Sequence, residues 1–519
     1  MGNIKIGITA LLVTTAGYFA NESFTTIPTP PTLGVKPLVT EELIVDKPTI
    51  QFSALYTTCT VKFDVQNIPI TGTINVVQED TKGIKRVGGD FLGGTFCFVV
   101  DDKTVTDGIV IFPRKRICYV IESVSAQGGV TWIKKNLTDL ACIDLPENVE
   151  GEGADSVTVN TSTINTSPIT TRDRVPLLNS KEDGSVVLFL DFIGGKVQDP
   201  LWSGGKIIDA KPANYSLDRI NTTFAVTAER YAAFNVNVTT DFARYAAAKP
   251  GRRMRIILTT TNVMPGYGGY AYISSLKHSG TGIYSPGIFC FVFVNAVGGG
   301  KNAGDVAAHE LGHTFGLTHD GAIAPKATAY YTGQGAWAPV MGSTYSRTIV
   351  QWSKGEYTYA NNKQDDISMI ATIAGSGTLS AGFSTSSNLT TPIILSGSMS
   401  VADTISNGTV GRYYTIKTVS AGSLQLDVKV PTYGALNAAV ELSDNSGRIL
   451  SKSNTVGSLS TTLVASVLPG TYRIKVYGEG EGDPKTTGYT AYGSIGRFTM
   501  SGTLLSARAS APIYTGSVK

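Results

Sequence analysis

The chain has 519 residues, too long for one comfortable hydrophobic core and long enough for about three domains of ordinary size. Charged residues make up only 16%, glycine is abundant, and the formal net charge is +3. With no basic tract, that small charge argues against a nucleic-acid partner, and the composition reads as β-rich and loop-rich.

Residues 1–20 carry one lysine, Lys5, ahead of the apolar stretch IGITALLVTTAGYFA. It has the length of a signal-peptide core but is short for a membrane span, so secretion is expected, and no other segment is apolar enough to make a stable span. Residues 21–48, with the run TTIPTPPTLGVKP, suit an extended leader. From 49 to 147, CTVKFDV, GTFCFVV, DGIVIFP and ICYVIESV predict a small β domain whose place in the chain suggests a propeptide, hence a zymogen. Cys59, Cys97, Cys118 and Cys142 fall there and could form two disulfides in any of three pairings, leaving Cys290 over. Residues 148–182 read as an exposed linker, and Arg172, Arg174 and Lys181 are the candidate sites for propeptide release. Sequons at Asn136, Asn160, Asn165, Asn214, Asn221, Asn237, Asn388 and Asn407 would permit a glycoprotein in a eukaryotic secretory route.

A different rhythm occupies 183–372. SVVLFLDF (185–192) is a nearly continuous apolar run, as for a strand covered on both faces. Helical spacing follows over 215–234, then strands at MRIILTT (254–260), YAYISSL (270–276) and IFCFVFVNA (288–296), then a helix over 302–315. This order predicts a compact α/β domain. A Ser/Gly/Thr-rich linker (373–394) leads to short alternating strands over 395–508 that predict a β-sandwich.

Of four histidines in the chain, three lie within residues 309–320, His309-Glu310-Leu311-Gly312-His313-Thr314-Phe315-Gly316-Leu317-Thr318-His319-Asp320. Histidines four apart on a helix share a face and can reach one metal ion, while Glu310 can lean toward a water beside it. A catalytic zinc site with an open position needs a third ligand. Gly316 can end the helix at a positive φ, letting the chain carry His319 back to the pair. The remaining histidine, His278, sits in the loop-like KHSGTG and reads as exposed.

The pattern HExxHxxGxxHD resembles the metzincin clan of zinc peptidases, and Asp320 after the third histidine resembles its reprolysin or adamalysin-like branch of secreted microbial type. The resemblance implies a zincin domain with a mixed twisted sheet and an active-site helix, one catalytic Zn2+, ligands His309, His313 and His319, and Glu310 as general base. It also implies a methionine turn, matched by Ala338-Pro339-Val340-Met341-Gly342, with Met341 as an apolar floor. Ser343 stands where some clan members place a tyrosine, so Tyr345 is the nearest candidate for a supporting role. Asp320 would anchor the turn, and a peptide would lie along the sheet edge near Gly268, Gly269 and Tyr270. LPGTYRIKVYGEGEGDP (468–484) resembles the bacterial pre-peptidase C-terminal domain, and such a domain could bind substrate, contact a surface or matrix, assist export, or be removed on maturation. The acidic GEGEGDP (478–484) and the Asp365–Asp366 pair are candidate Ca2+ positions.

The expected function is therefore a secreted zinc endopeptidase acting on polypeptides. A latent form would need a thiol, a carboxylate or a steric cover at the metal, and no cysteine-switch motif is present. A secreted adhesin or binding protein with a structural zinc, and a zinc hydrolase of other amides or esters, are the alternatives. The presence of Glu310 argues against the adhesin.

Overall fold

The computed structural model describes residues 25–26, 50–79, 83–102, 104–126, 128–137, 175–276, 289–345, 347–374, 393–395 and 398–506. The expected signal peptide, Cys142, Arg172, Arg174, His278 and the sequons at Asn160, Asn165 and Asn388 lie outside these residues. The chain divides into two compact units, Met1–Thr227 with Val236–His319, and Ala228–Asn235 with Asp320–Lys519.

The first unit opens with an antiparallel meander. β1 (Thr25–Thr26) pairs with β4, while β2 (Gln51–Phe52), β3 (Thr60–Val65), β4 (Ile68–Glu79), β5 (Lys85–Phe91), β6 (Gly94–Asp101), β7 (Thr104–Phe112), β8 (Ile117–Val124) and β9 (Val130–Asn136) pair in chain order. One face packs Phe63, Val87, Phe96, Phe98, Phe112 and Trp132 into a core, where Phe63 meets Phe98 edge-on at 5.2 Å. Strands β6 to β8 also bury the opposite face, through Cys97, Ile109, Ile111, Cys118 and Val120. That double burial is why they read as continuous apolar runs. Cys59, Cys97 and Cys118 are not joined in disulfides, which corrects the expectation that they enter them. Cys97 lies opposite Ile109, and Cys118 opposite Ile111, so both thiols serve as small apolar groups on that second face.

The same unit continues as an α/β domain. Its sheet runs β13 (Val236–Thr239), β10 (Val186–Asp191), β14 (Arg253–Thr259), β16 (Cys290–Phe293), β15 (Gly269–Tyr270). The first four strands are parallel and β15 is an antiparallel edge strand. A short hairpin, β11 (Gly195–Val197) with β12 (Ile208–Ala210), lies beside it. The helices are α1 (Leu217–Tyr231), α2 (Phe242–Ala247), α3 (Val294–Val297) and α4 (Gly300–Thr314). Helices α1 and α4 approach closely because Gly300 and Gly304, one turn apart, carry no side chain. A β-carbon on Gly304 would fall 2.6 Å from Val226 Cβ. Across that gap Thr223 and Thr227 donate hydrogen bonds to Gly300 O and Gly304 O at 3.1 Å each.

Four local expectations change. YAYISSL forms a strand only at Gly269–Tyr270, because the chain then turns at Ser274, whose φ is 62° and whose N–H donates to His313 O. The run 288–296 breaks at Phe293, where β16 gives way to α3. Asn237 is 1% exposed, accepts from Ser180 N–H and donates to Asn179, so that sequon cannot take a glycan in the folded protein. Leu178 and Ser180, inside the segment read as linker, hydrogen-bond to Thr240 and Val238.

In the second unit, β17 (Trp337–Pro339) and β18 (Ile349–Gln351) pair in parallel, and α5 (Asp366–Ile373) is capped by Asp365, which accepts from Ser368 N–H. A β-sandwich follows. One sheet orders β19 (Ile393–Leu395), β21 (Arg412–Thr418), β26 (Gly470–Gly478), β23 (Ala438–Asp444) and β24 (Ile449–Asn454). The other orders β20 (Ser398–Ile405), β27 (Gly496–Ser506), β22 (Gly422–Lys429) and β25 (Thr461–Val467). Inward residues such as Leu424, Leu426, Val440, Ile474 and Phe498 form the core. Within this unit Trp352 Nε1 donates to Arg230 O at 2.7 Å, and Gln334 Nε2 donates to Pro484 O and Gly488 O. Among the described residues no helix is long and apolar enough to cross a membrane.

Candidate metal centre

Helix α4 carries His309, Glu310 and His313 and ends in a glycine-dependent turn. Gly316 has φ 101°, its N–H donates to His313 O at 2.8 Å, and Leu317 N–H donates to Gly312 O at 3.2 Å. These are the two hydrogen bonds of a Schellman termination, which satisfies carbonyls the helix would leave open. The turn reverses the chain and returns His319 to the helix.

The three imidazoles converge. His313 Nε2 lies 3.1 Å from His309 Nε2 and 3.0 Å from His319 Nε2. His313 Nδ1 lies 2.8 Å from Leu317 O, which assigns the Nδ1–H tautomer and leaves Nε2 as a bare acceptor facing its neighbours. Burial pushes the His313 and His319 pKa values well below the ordinary histidine range, so both rings are held neutral. Converging neutral nitrogens fit a divalent cation, and carbonyl-bound Nδ1–H is a usual way of aiming a ligating Nε2. Among the described residues this is the one cluster of three histidine, cysteine or acidic groups suited to a metal ion.

Glu310 is 1% exposed and lies on α4 against the edge strand, where a β-carbon on Gly269 would fall 2.5 Å from its Oε1. Gly268 O accepts from Phe293 N–H at 2.8 Å, and Gly269 stands opposite Val292. Tyr270 turns the other way and is 1% exposed. Its side chain packs on Trp202, so only its backbone remains at the edge. Cys290, on the neighbouring strand, is fully buried, and burial with the Glu310 charge pushes its thiol well above the ordinary range.

The other expected supporting residues belong to the second unit. Asp320 N–H donates to Met341 O at 2.8 Å, and Asp320 O accepts from Tyr331 N–H at 2.7 Å. Burial raises the Asp320 carboxyl to about 7. Met341 is fully buried and Tyr345 is half-buried. The candidate calcium groups serve local structure. Asp483 accepts from Lys485 N–H and from the Thr486 hydroxyl, Glu479 pairs with Lys452, and Asp365 caps α5. Asp366 is completely buried and accepts from Ser353 N–H.

Sequence reasoning missed the glycines that admit α1, and it named Gly269 for the peptide edge without its second role of making room for Glu310. A pair of glycines four apart near the start of a buried helix was the available signal for Gly300 and Gly304. Nothing local in the sequence marks Cys290 or Trp202 as neighbours of the site.

Residues 212–320 match the family model described as metallo-peptidase family M12B, reprolysin-like. That match covers helix α4 and all three histidines, and it supports the reprolysin-like resemblance for this segment. It implies zinc-dependent peptidase activity on polypeptides, and the His309–His313–His319 triad could bind the zinc. No curated protein matches the chain. Among solved structures, the pre-peptidase C-terminal domain of a Bacillus anthracis collagenase is similar at 17% identity, over 22% of this chain and 92% of that one, with a TM-score of 0.16. PliG of Aeromonas hydrophila, a periplasmic inhibitor of g-type lysozyme, is similar at 13% identity, over 22% and 96%, with a TM-score of 0.17.

Proposed function

We propose that the protein is a secreted zinc endopeptidase in which His309, His313 and His319 hold the metal and Glu310 is the general base. The observation that carries this reading is the meeting of His309 Nε2 and His319 Nε2 with His313 Nε2, at 3.1 and 3.0 Å, where helix α4 supplies two of the three rings and Glu310 beside them. Zinc bound there supplies a Lewis acid that activates water and polarises the scissile carbonyl. Glu310 accepts the proton of the attacking water and passes it to the leaving amine. Its confinement against Gly269 fixes where that carboxylate can stand. β15 is the last strand in its sheet, and its outer side accepts an extended peptide as an added strand, presenting one bond to Glu310. The apolar stretch in residues 1–20 supports secretion. Incubation of purified zinc-loaded protein with a peptide library blocked at both termini tests the reading, because an endopeptidase cleaves blocked peptides and an exopeptidase or a binding protein does not.

A further inference from the structure

We propose that the N-terminal β domain, residues 50–137, is a permanently docked scaffold that holds the edge strand β15 in place, and that cutting the chain between 138 and 174 does not release it. The argument rests on the second apolar face of strands β6 to β8. Cys97, Ile109, Ile111, Cys118 and Val120 share one continuous core with Trp202, Tyr270, Tyr272, Phe289 and Phe291 of the α/β domain. Trp202 stands at its centre, with ring centroids 5.0 Å from Tyr270, 5.7 Å from Phe289 and 4.8 Å from Phe291. A detachable cover would expose these rings on one side and two thiols with three aliphatic chains on the other, a contiguous apolar patch of the kind that soluble domains seldom leave bare.

Polar and steric contacts fix the register of the docking. Arg86 pairs with Asp199, whose side chains are 10% and 0% exposed, so both charges are desolvated at the junction. Asn75 Nδ2 donates to Gly204 O at 2.9 Å, and Lys206 pairs with Asp90. The backbones touch where glycines permit it. A β-carbon on Gly88 would fall 2.8 Å from Pro200 Cα, and one on Gly204 would fall 2.4 Å from Gly89 O. Gly204 and Gly205 also sit at φ 62° and 76°, so the 203–205 turn is shaped to enter the sheet.

The consequence for the site follows from strand alternation. Gly269 faces Glu310, and the next residue, Tyr270, faces the shared core. β15 is only two residues long and, among the described residues, pairs only with β16, so the packing of Tyr270 on Trp202 is what steadies it. The β domain thus acts as a support for the peptide-binding edge, not as an inhibitor. This second half rests on the endopeptidase reading above, whereas the docking does not.

The test uses the full chain with a site-specific protease sequence inserted near residue 160, compared before and after cutting. The expected result is that the two fragments co-elute on gel filtration in native buffer and that kcat/KM on a blocked peptide stays within twofold of the uncut protein. Backbone amide exchange at Gly269–Tyr270 stays slow in the cut form and speeds up tenfold or more in the Gly88→Leu and Arg86→Ala variants, a readout that does not depend on turnover. Separation of the fragments, or a large rise in kcat/KM on cutting, would overturn the proposal in favour of a released, inhibitory propeptide. Co-elution with slow exchange but no cleavage in either form supports the docking and contradicts the peptidase reading instead.

Discussion

Gly269 and Glu310 are in such close contact that a single added methyl group at 269 would stand 2.5 Å from Glu310 Oε1 and 2.6 Å from Glu310 Cγ. Glu310 is 1% exposed, so its carboxylate has little room to retreat. Gly269→Ala is expected to displace the general base while leaving the histidines alone. It should lower kcat/KM on the order of a hundredfold, the cost of about 1 Å of misplacement at a reacting group. Zinc content measured on the same samples should stay at one per chain, and loss of zinc would show that the substitution acts on the ligands instead.

Gly304→Val tests the packing that presents α4. The new side chain meets Val226 Cβ at 2.6 Å and the Thr223 carbonyl oxygen at 2.8 Å, and a backbone atom cannot rotate away. Overpacking of this kind costs about 3 kcal/mol. Chemical denaturation should show that loss, and the Thr227 hydroxyl loses its interhelical bond to Gly304 O at 3.1 Å while keeping Thr223 O of its own helix at 2.9 Å. An unchanged midpoint would mean that the two helices pack more loosely than described.

Asp366 gives a pH prediction. Burial, followed by the charge of Asp320, raises its carboxyl well above the ordinary aspartate value. A raised folded pKa means that the folded state binds more protons than the unfolded one, so stability is highest at low pH and declines as pH rises from about 4 through the folded pKa. Asp366→Asn keeps an acceptor for Ser353 N–H and cannot ionise. Relative to the parent protein, its stability should increase steadily between pH 4 and neutrality. A difference that does not vary with pH would contradict the assignment.

Metal removal should reach the fold as well as the activity. Chelation strips a ligand bound only by the folded chain. Zinc at a thousand times its dissociation constant contributes about 4 kcal/mol to stability. The thermal midpoint should fall on chelation and return with added zinc, and a midpoint indifferent to zinc would place the metal elsewhere or nowhere.

The three-histidine cluster was legible because its chemistry is local: two ligands four apart on a helix, and a glycine whose positive φ turns the third back. The interior strand at 186–191 was equally plain from its unbroken apolar run. The docking of the β domain was not, although FCFVV and IVIF carried the same sign of two buried faces. An isolated small domain can hide such runs in its own core, and only the pairing of Cys97 with Ile109, and of Ile111 with Cys118, shows that a second face needs covering. The 270–276 strand was misread because alternation in YAYISSL continues past Tyr270, while the backbone is diverted at Ser274 by a hydrogen bond to His313, which no local pattern encodes. Asn237 met the sequon rule yet lies in a parallel strand whose side chain is used by residues 179–181.

The most direct test of the central claim is zinc content and cleavage of a blocked peptide measured together on the full-length protein and on Glu310→Ala. The account predicts one zinc per chain in both and cleavage in the parent only. Equal cleavage by the two proteins would contradict the role of Glu310, and zinc without cleavage in either would make the triad a binding site without peptidase function.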